Sequence, residues 1–187
     1  MPCFERLLLA AVVLGAGAAC AGPRGSEDVP PFVPLTAAEL GGMHNVSFSE
    51  GWWLGSAPTP ADLDLAKRRG VERVVSIQHV DERSDDLRRA CGEMDLEYVE
   101  MNVRHEIGLS DRLVDRILPL FADGRSTLLF CEDGARSAAM FAVHRAVDQG
   151  MPIDTALQEA RAAGMRPGES EEWVREQVER IAVARRR

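Results

Sequence analysis

The sequence has 187 residues and is 45% hydrophobic, enough for one domain of ordinary size with a buried core. Its net charge is −8, and Lys67 is the only lysine, so every other fixed cation is an arginine. A surface this acidic argues against nucleic acid as a partner.

Residues 1–20 form a separate piece. An apolar run from Leu7 ends in small residues at Cys20, shorter than the roughly 20 apolar residues of a spanning helix, and reads as an export signal. Gly17-Ala18-Ala19-Cys20 resembles a bacterial lipobox, which implies lipidation of Cys20, a membrane anchor there and a periplasmic or membrane-anchored lipoprotein of the bacterial envelope. Ordinary cleavage near Ala19 to Ala21 and an uncleaved anchor are the alternatives. Residues 21–44 begin with a Pro-, Gly- and acid-rich stretch without periodicity and read as a flexible tether ahead of a domain at 45–187. Asn45-Val46-Ser47 fits an N-glycosylation triplet, which the lipobox resemblance, arguing for a bacterial source, makes an accidental match.

From residue 51 strand and helix patterns alternate. Residues 52–56 read as a strand, and Thr59 caps a helix over 60–69 with Pro60 at its start. A buried-type strand follows at 71–78, a charged amphipathic helix at 82–94 and a strand at 96–103. Ser110 caps a helix over 111–121, with Pro119 an early break, and residues 126–130 form the next strand. A helix runs to Val147 with Met140, Phe141, His144 and Val147 on one side; two more lie at 153–164 and 170–184, the last capped by Ser170. Trp52 and Trp53 divide between core and surface. This order predicts an α/β fold with a mainly parallel sheet flanked by helices on both faces. Ligands in such sheets bind at the carboxyl ends of the strands.

Cys131 falls at one of those ends. The run Cys131-Glu132-Asp133-Gly134-Ala135-Arg136-Ser137 joins a strand to a helix, where the first amides have no intrahelical partner and face the positive end of the dipole. Gly134 lets the loop curl its N–H groups inward, so residues 131–136 form a cradle for an anion. A thiol at this position is expected to have a depressed pKa and to act as a nucleophile. The planar fork of Arg136 suits a phosphoryl or sulfuryl group, and Ser137 is in sequence position to hydrogen-bond the sulfur. The bland alternative is a small buried cysteine followed by a solvated arginine.

Cys-x-x-Gly-x-Arg-Ser after a hydrophobic strand resembles the phosphate-binding loop of cysteine-dependent tyrosine and dual-specificity phosphatases. The similarity is greater to the small bacterial branch described as DSP-like or beta-lactamase-hydrolase-like. It extends over Trp53 to Leu63, Gly70 to Ile77, Leu96 to Val103 and Gly150 to Ala160. The resemblance implies a cysteine-phosphatase fold and a phosphorylated substrate, protein or small molecule, hydrolysed through a Cys131 thiophosphate without metal or cofactor. Several positions depart from the pattern. Four residues separate Cys131 from Arg136, one fewer than in the common signature, which keeps a rhodanese-like sulfurtransferase working through a Cys131 persulfide open. Phe130 replaces a histidine, Ala57 replaces a glutamine, and an arginine expected after the second strand is absent from Ser76 to Asp81. Glu132 and Asp133 oppose a dianion at close range unless they point outward. An inactive binding module of the same fold is therefore a further alternative.

Such a phosphatase needs a general acid. The loop from Arg104 to Asp111 offers His105, Glu106 and Asp111, and Glu106 is the first choice because it lies mid-loop. His79 and His144 are weaker candidates, one at a strand end and one packed on the central helix. Beyond the signal the cysteines are Cys91 and Cys131, with no zinc-like cluster. The resemblance implies a reversible Cys91–Cys131 disulfide as one option; a simply buried Cys91 is preferred.

Overall fold

A computed structural model describes residues 32–82, 85–103 and 109–187. Among these described residues six strands form one sheet: β1 (Thr36–Ala37), β2 (Ser47–Ser49), β3 (Trp52–Gly55), β4 (Arg73–His79), β5 (Glu97–Val103) and β6 (Thr127–Phe130). Their order is β1-β2-β3-β6-β4-β5. The first three strands are antiparallel, and β3, β6, β4 and β5 run parallel, so the expected sheet is present with a short antiparallel edge added. The helices are α1 (Pro60–Arg68), α2 (Asp85–Glu93), α3 (Asp111–Phe121), α4 (Ala135–Val147), α5 (Ile153–Ala162) and α6 (Glu169–Ala184).

The alternation of side chains along each strand divides the apolar residues between two layers. Leu54, Val75, Ile77 and Leu129 face α3, α4, α5 and α6, whereas Trp53, Val74, Leu128 and Phe130 face α1 and α2. β6 lies between β3 and β4, and α4 leaves its end to run beneath the sheet. Ten of the thirteen residues of α4 are buried, so this helix is enclosed on all sides rather than along the single face expected. Arg145, 1% exposed, is compensated within it by Glu159 at 3.1 Å and Glu50 at 3.3 Å.

Helix starts follow local chemistry in α1, where the Thr59 hydroxyl accepts the Asp62 N–H while Asp62 accepts the Thr59 N–H, a reciprocal capping box. Elsewhere they differ from expectation. Ser110 occupies the cap position of α3 without a side-chain bond, and Gly168, not Ser170, precedes α6. Pro119 sits in the last turn of α3, which continues to Phe121.

Three further expectations are corrected. The tether does not extend to residue 44: β1 pairs with β2, and Leu40 and Met43 are buried under α1. Both Trp52 and Trp53 are buried, one in each layer. Cys91 and Cys131 are free thiols in different layers, so the sheet stands between them and a disulfide is excluded; burial raises the Cys91 pKa to about 11. No described helix is long and apolar enough to cross a membrane. Cys20 lies outside the described residues.

Candidate active site

The residue after β6 is Cys131, and its N–H reaches the Gly55 carbonyl at 3.4 Å, extending the parallel pairing to the edge of the loop. Gly134 then turns the chain with φ +90 and caps α4. A Cβ there would stand 3.2 Å from the Asn45 Cβ and 3.3 Å from the Gly55 carbonyl carbon, so glycine is required both for the dihedral and for space. The turn brings the Gly134 N–H to 3.1 Å from the Cys131 sulfur. The amides of Ser137, Arg136 and Asp133 also favour the thiolate.

Those contacts do not overcome desolvation. Cys131 is fully buried, and burial pushes its thiol above the ordinary 9.0 while the Ser137 amide, the Arg136 charge and the other amides pull it down. The depressed pKa expected from the loop is thus reversed. The thiol donates to Asp133 Oδ1 at 3.6 Å.

Asp133 turns inward, contrary to the outward direction that would keep it from an anion. Its Oδ1 also accepts the Ala135 N–H at 3.0 Å, and its Oδ2 pairs with Arg166. Burial raises its pKa, but the Ala135 N–H and Arg166 more than offset this and hold the carboxyl below 3.8. Asn45 completes the support: its Nδ2 donates to the Asp133 carbonyl at 2.8 Å.

Arg136 lies in the first turn of α4, where its Nη2 meets both Glu82 carboxylate oxygens at 2.9 Å and its Nη1 donates to the Ile77 carbonyl at 3.0 Å. Glu82 was expected to begin a helix; it instead ends a short 3-10 turn, Val80–Glu82, after β4. There its Oε2 also accepts the His79 N–H at 2.8 Å. Burial opposes ionisation of Glu82, but the His79 N–H and Arg136 hold its pKa below the ordinary value. Glu132 reaches the same group, with its Oε2 3.9 Å from Arg136 Nη2 and its pKa raised by the neighbouring Glu82 carboxyl.

The Ser137 hydroxyl donates to the Gly134 carbonyl at 2.8 Å, not to the sulfur, so the contribution of this residue to the thiolate is its backbone N–H. Above the loop is a cavity of about 320 Å³ lined by His79, Glu82, Leu109, Glu132, Arg136 and Arg166, among others. Of the acid candidates, Glu106 and His105 lie outside the described residues. Asp111 is committed to α6, accepting Gln177 Nε2 at 2.8 Å with Arg180 at 3.6 Å. His144 is nine positions beyond Ala135, the first residue of α4, roughly 14 Å along the helix at 1.5 Å per residue, and there pairs with Asp148 at 2.9 Å and stacks on Phe121.

Asn45, Glu82 and Arg166 are the site residues that sequence reasoning missed. Arg166 belongs to no motif, and the charged run around Glu82 looked like a helix. Asn45 carries the one legible signal, since asparagine tolerates the left-handed backbone, φ +52, that it adopts.

The chain matches no protein-family profile and no curated protein. Among solved structures it is similar to TpbA from Pseudomonas aeruginosa, in a structure with phosphotyrosine, at 20% identity over 82% of this chain and 98% of that one, TM-score 0.62. It is similar to Tk-PTP in its active form at 19% identity over 69% and 91% of the two chains, TM-score 0.58. A kinase-associated phosphatase, solved with its catalytic cysteine replaced by serine, aligns at 13% identity over 70% and 87%, TM-score 0.62. These likenesses establish the fold as that of the cysteine-dependent tyrosine and dual-specificity phosphatases.

Proposed function

We propose that the chain is a cysteine-dependent phosphatase that hydrolyses phosphomonoesters, on a protein or on a small molecule. The observation that carries this reading is a buried thiol facing the Gly134 N–H at 3.1 Å, with Arg136 at the lip of the loop, in a fold shared with phosphatases. Backbone amides and a guanidinium suit the three outer oxygens of a phosphoryl group, and an in-line sulfur suits covalent transfer.

In the proposed reaction the S–H proton is first lost to solvent, leaving a thiolate that the Gly134 N–H faces at 3.1 Å. The sulfur then attacks phosphorus and the ester oxygen departs. Attack by water breaks the S–P bond of the Cys131 thiophosphate and releases phosphate. Arg136, held by Glu82 and Ile77, meets the phosphoryl oxygens with its remaining N–H donors. Anchoring of the chain through lipid on Cys20, in the bacterial envelope, belongs to the same proposal and rests on the lipobox resemblance.

One observation favours a second reading. The raised pKa of Cys131 and its hydrogen bond to Asp133 suit a module that binds phosphorylated ligands without turning them over. The test is a paired assay of the full chain and its Cys131→Ser variant with an aryl phosphate and with thiosulfate plus cyanide, beside a titration with inorganic phosphate. Phosphate release that disappears in the variant supports the phosphatase. Cys131-dependent thiocyanate alone moves the chain to sulfur transfer. Phosphate binding without either product establishes the binding module.

A further inference from the structure

The two acidic side chains of the loop are placed differently. Glu132 turns to solvent, its side chain 69% exposed and its Oε2 3.9 Å from Arg136 Nη2. Asp133 turns in. Its Oδ1 lies 3.6 Å from the Cys131 sulfur and accepts the Ala135 N–H at 3.0 Å, while its Oδ2 pairs with Arg166. Ala135 opens α4, so its N–H is one of the amides that have no intrahelical acceptor and that an entering anion would take. A carboxylate of the chain itself therefore already holds a loop amide beside the nucleophile and carries a guanidinium on its outer oxygen. Amide, sulfur and guanidinium are the partners a bound phosphoryl group would seek.

We propose that Asp133 is an internal occupant of the anion cradle, a gate whose carboxylate must turn out before a phosphoryl group enters. The identity of the anion rests on the phosphatase reading above. Two steps of that reaction require the departure. A thiolate and a carboxylate oxygen 3.6 Å apart repel, so loss of the S–H proton is opposed for as long as Asp133 stays in place. A phosphoryl oxygen approaching the Ala135 N–H meets Asp133 Oδ1 on the same donor.

The departure leaves the loop folded. The Asp133 carbonyl is fixed by Asn45 Nδ2 at 2.8 Å, and the next residue is Gly134 at φ +90, so the backbone stays while the side chain changes rotamer. Arg166 lines the same cavity and is 75% exposed, so its long side chain can follow Oδ2 outward and keep the ion pair. With the gate in, the thiol is held protonated and one cradle amide is taken; with the gate out, both are released together.

Two measurements on the full chain test the gate: titration with inorganic phosphate, and alkylation of Cys131 by iodoacetamide, read on the Cys131 peptide so that Cys91 does not contribute. A like charge at this range is expected to hold back the thiolate by roughly tenfold, so Asp133→Ala should alkylate roughly tenfold faster at neutral pH and bind phosphate more tightly by a factor on the order of ten. Asp133→Asn keeps an acceptor for the Ala135 N–H without the charge. It should gain in alkylation nearly as much as the alanine variant and gain less in phosphate affinity. Urea unfolding reports whether each variant is folded, and where alanine loosens the loop the asparagine variant decides. The gate requires both gains. A folded variant that lacks either one overturns it and makes Asp133 a support of the loop. Phosphate binding by the unmodified chain without a gain in the variants removes the gate alone. If phosphate binds neither the unmodified chain nor either variant, the loop is no phosphoryl cradle, and the phosphatase reading falls with the gate.

Discussion

Asn45 joins the antiparallel edge to the anion loop, and two substitutions separate its backbone role from its side-chain role. Its Nδ2 bond to the Asp133 carbonyl is 2.8 Å long, and loss of such a bond costs about 1 kcal/mol. Its φ of +52 costs most residues with a Cβ roughly 1 to 2 kcal/mol, a cost that glycine does not carry and asparagine largely avoids. Asn45→Ala is therefore expected to lose about 2 kcal/mol of stability and Asn45→Gly about 1 kcal/mol. Because both variants release the carbonyl that fixes the loop, both should weaken binding of inorganic phosphate by a similar factor, on the order of fivefold for 1 kcal/mol. Urea unfolding gives the stabilities, and a phosphate titration gives the affinities. If glycine destabilises as much as alanine, the backbone argument is wrong. If both variants bind phosphate as the unmodified chain does, the side chain does not position the loop.

Three other outcomes can be checked together. Gly134→Ala places a Cβ 3.2 Å from the Asn45 side chain at φ +90 and should cost about 2 kcal/mol or more while abolishing phosphate binding, read in the same two assays. Arg73 is 1% exposed and pairs with Asp123, with its Nη2 also donating to the Leu120 carbonyl at 2.9 Å. Arg73→Ala should lower stability by about 3 kcal/mol through the unpaired groups it leaves, and an unchanged urea midpoint would contradict this. Hydrogen bonding to Arg73, with help from the Arg125 N–H, holds the Asp123 carboxyl below its ordinary 3.8. The unfolded chain therefore takes up this proton at a higher pH than the folded chain. The resulting stability is complete above 3.8 and is lost as pH falls through the lowered folded value; urea midpoints in acid should fall less steeply in Asp123→Asn.

The parts of the fold that follow from local pattern were legible. Alternating apolar runs gave the parallel strands, and Thr59 with Asp62 gave the start of α1 because both partners of the capping box lie within one turn. The strand, loop and helix around Cys131 were equally clear. β1 and β2 were not, since two- and three-residue edge strands have no period to read. The Glu82 carboxylate escaped because composition does not distinguish a 3-10 turn from the first turn of a helix, although the difference decides whether it reaches Arg136. The thiol pKa failed for another reason. Its direction is set by how completely the sheet and α4 enclose the sulfur, a tertiary quantity, while the sequence displays only the amides and the arginine that oppose it.

The adjacent tryptophans give the folded unit two optical reporters, one on each side of its sheet. Trp52 lies 4.1 Å from Phe121 in the layer that contains Cys131, and Trp53 lies 4.6 Å from Phe48 in the layer that contains Cys91. With Trp173 and one of the pair replaced by phenylalanine, fluorescence would follow each layer separately. Coincident curves would mean that the helices over the anion loop and those on the opposite side melt as a single cooperative unit. Divergent curves would mean that the loop can lose its supporting layer while the other remains folded.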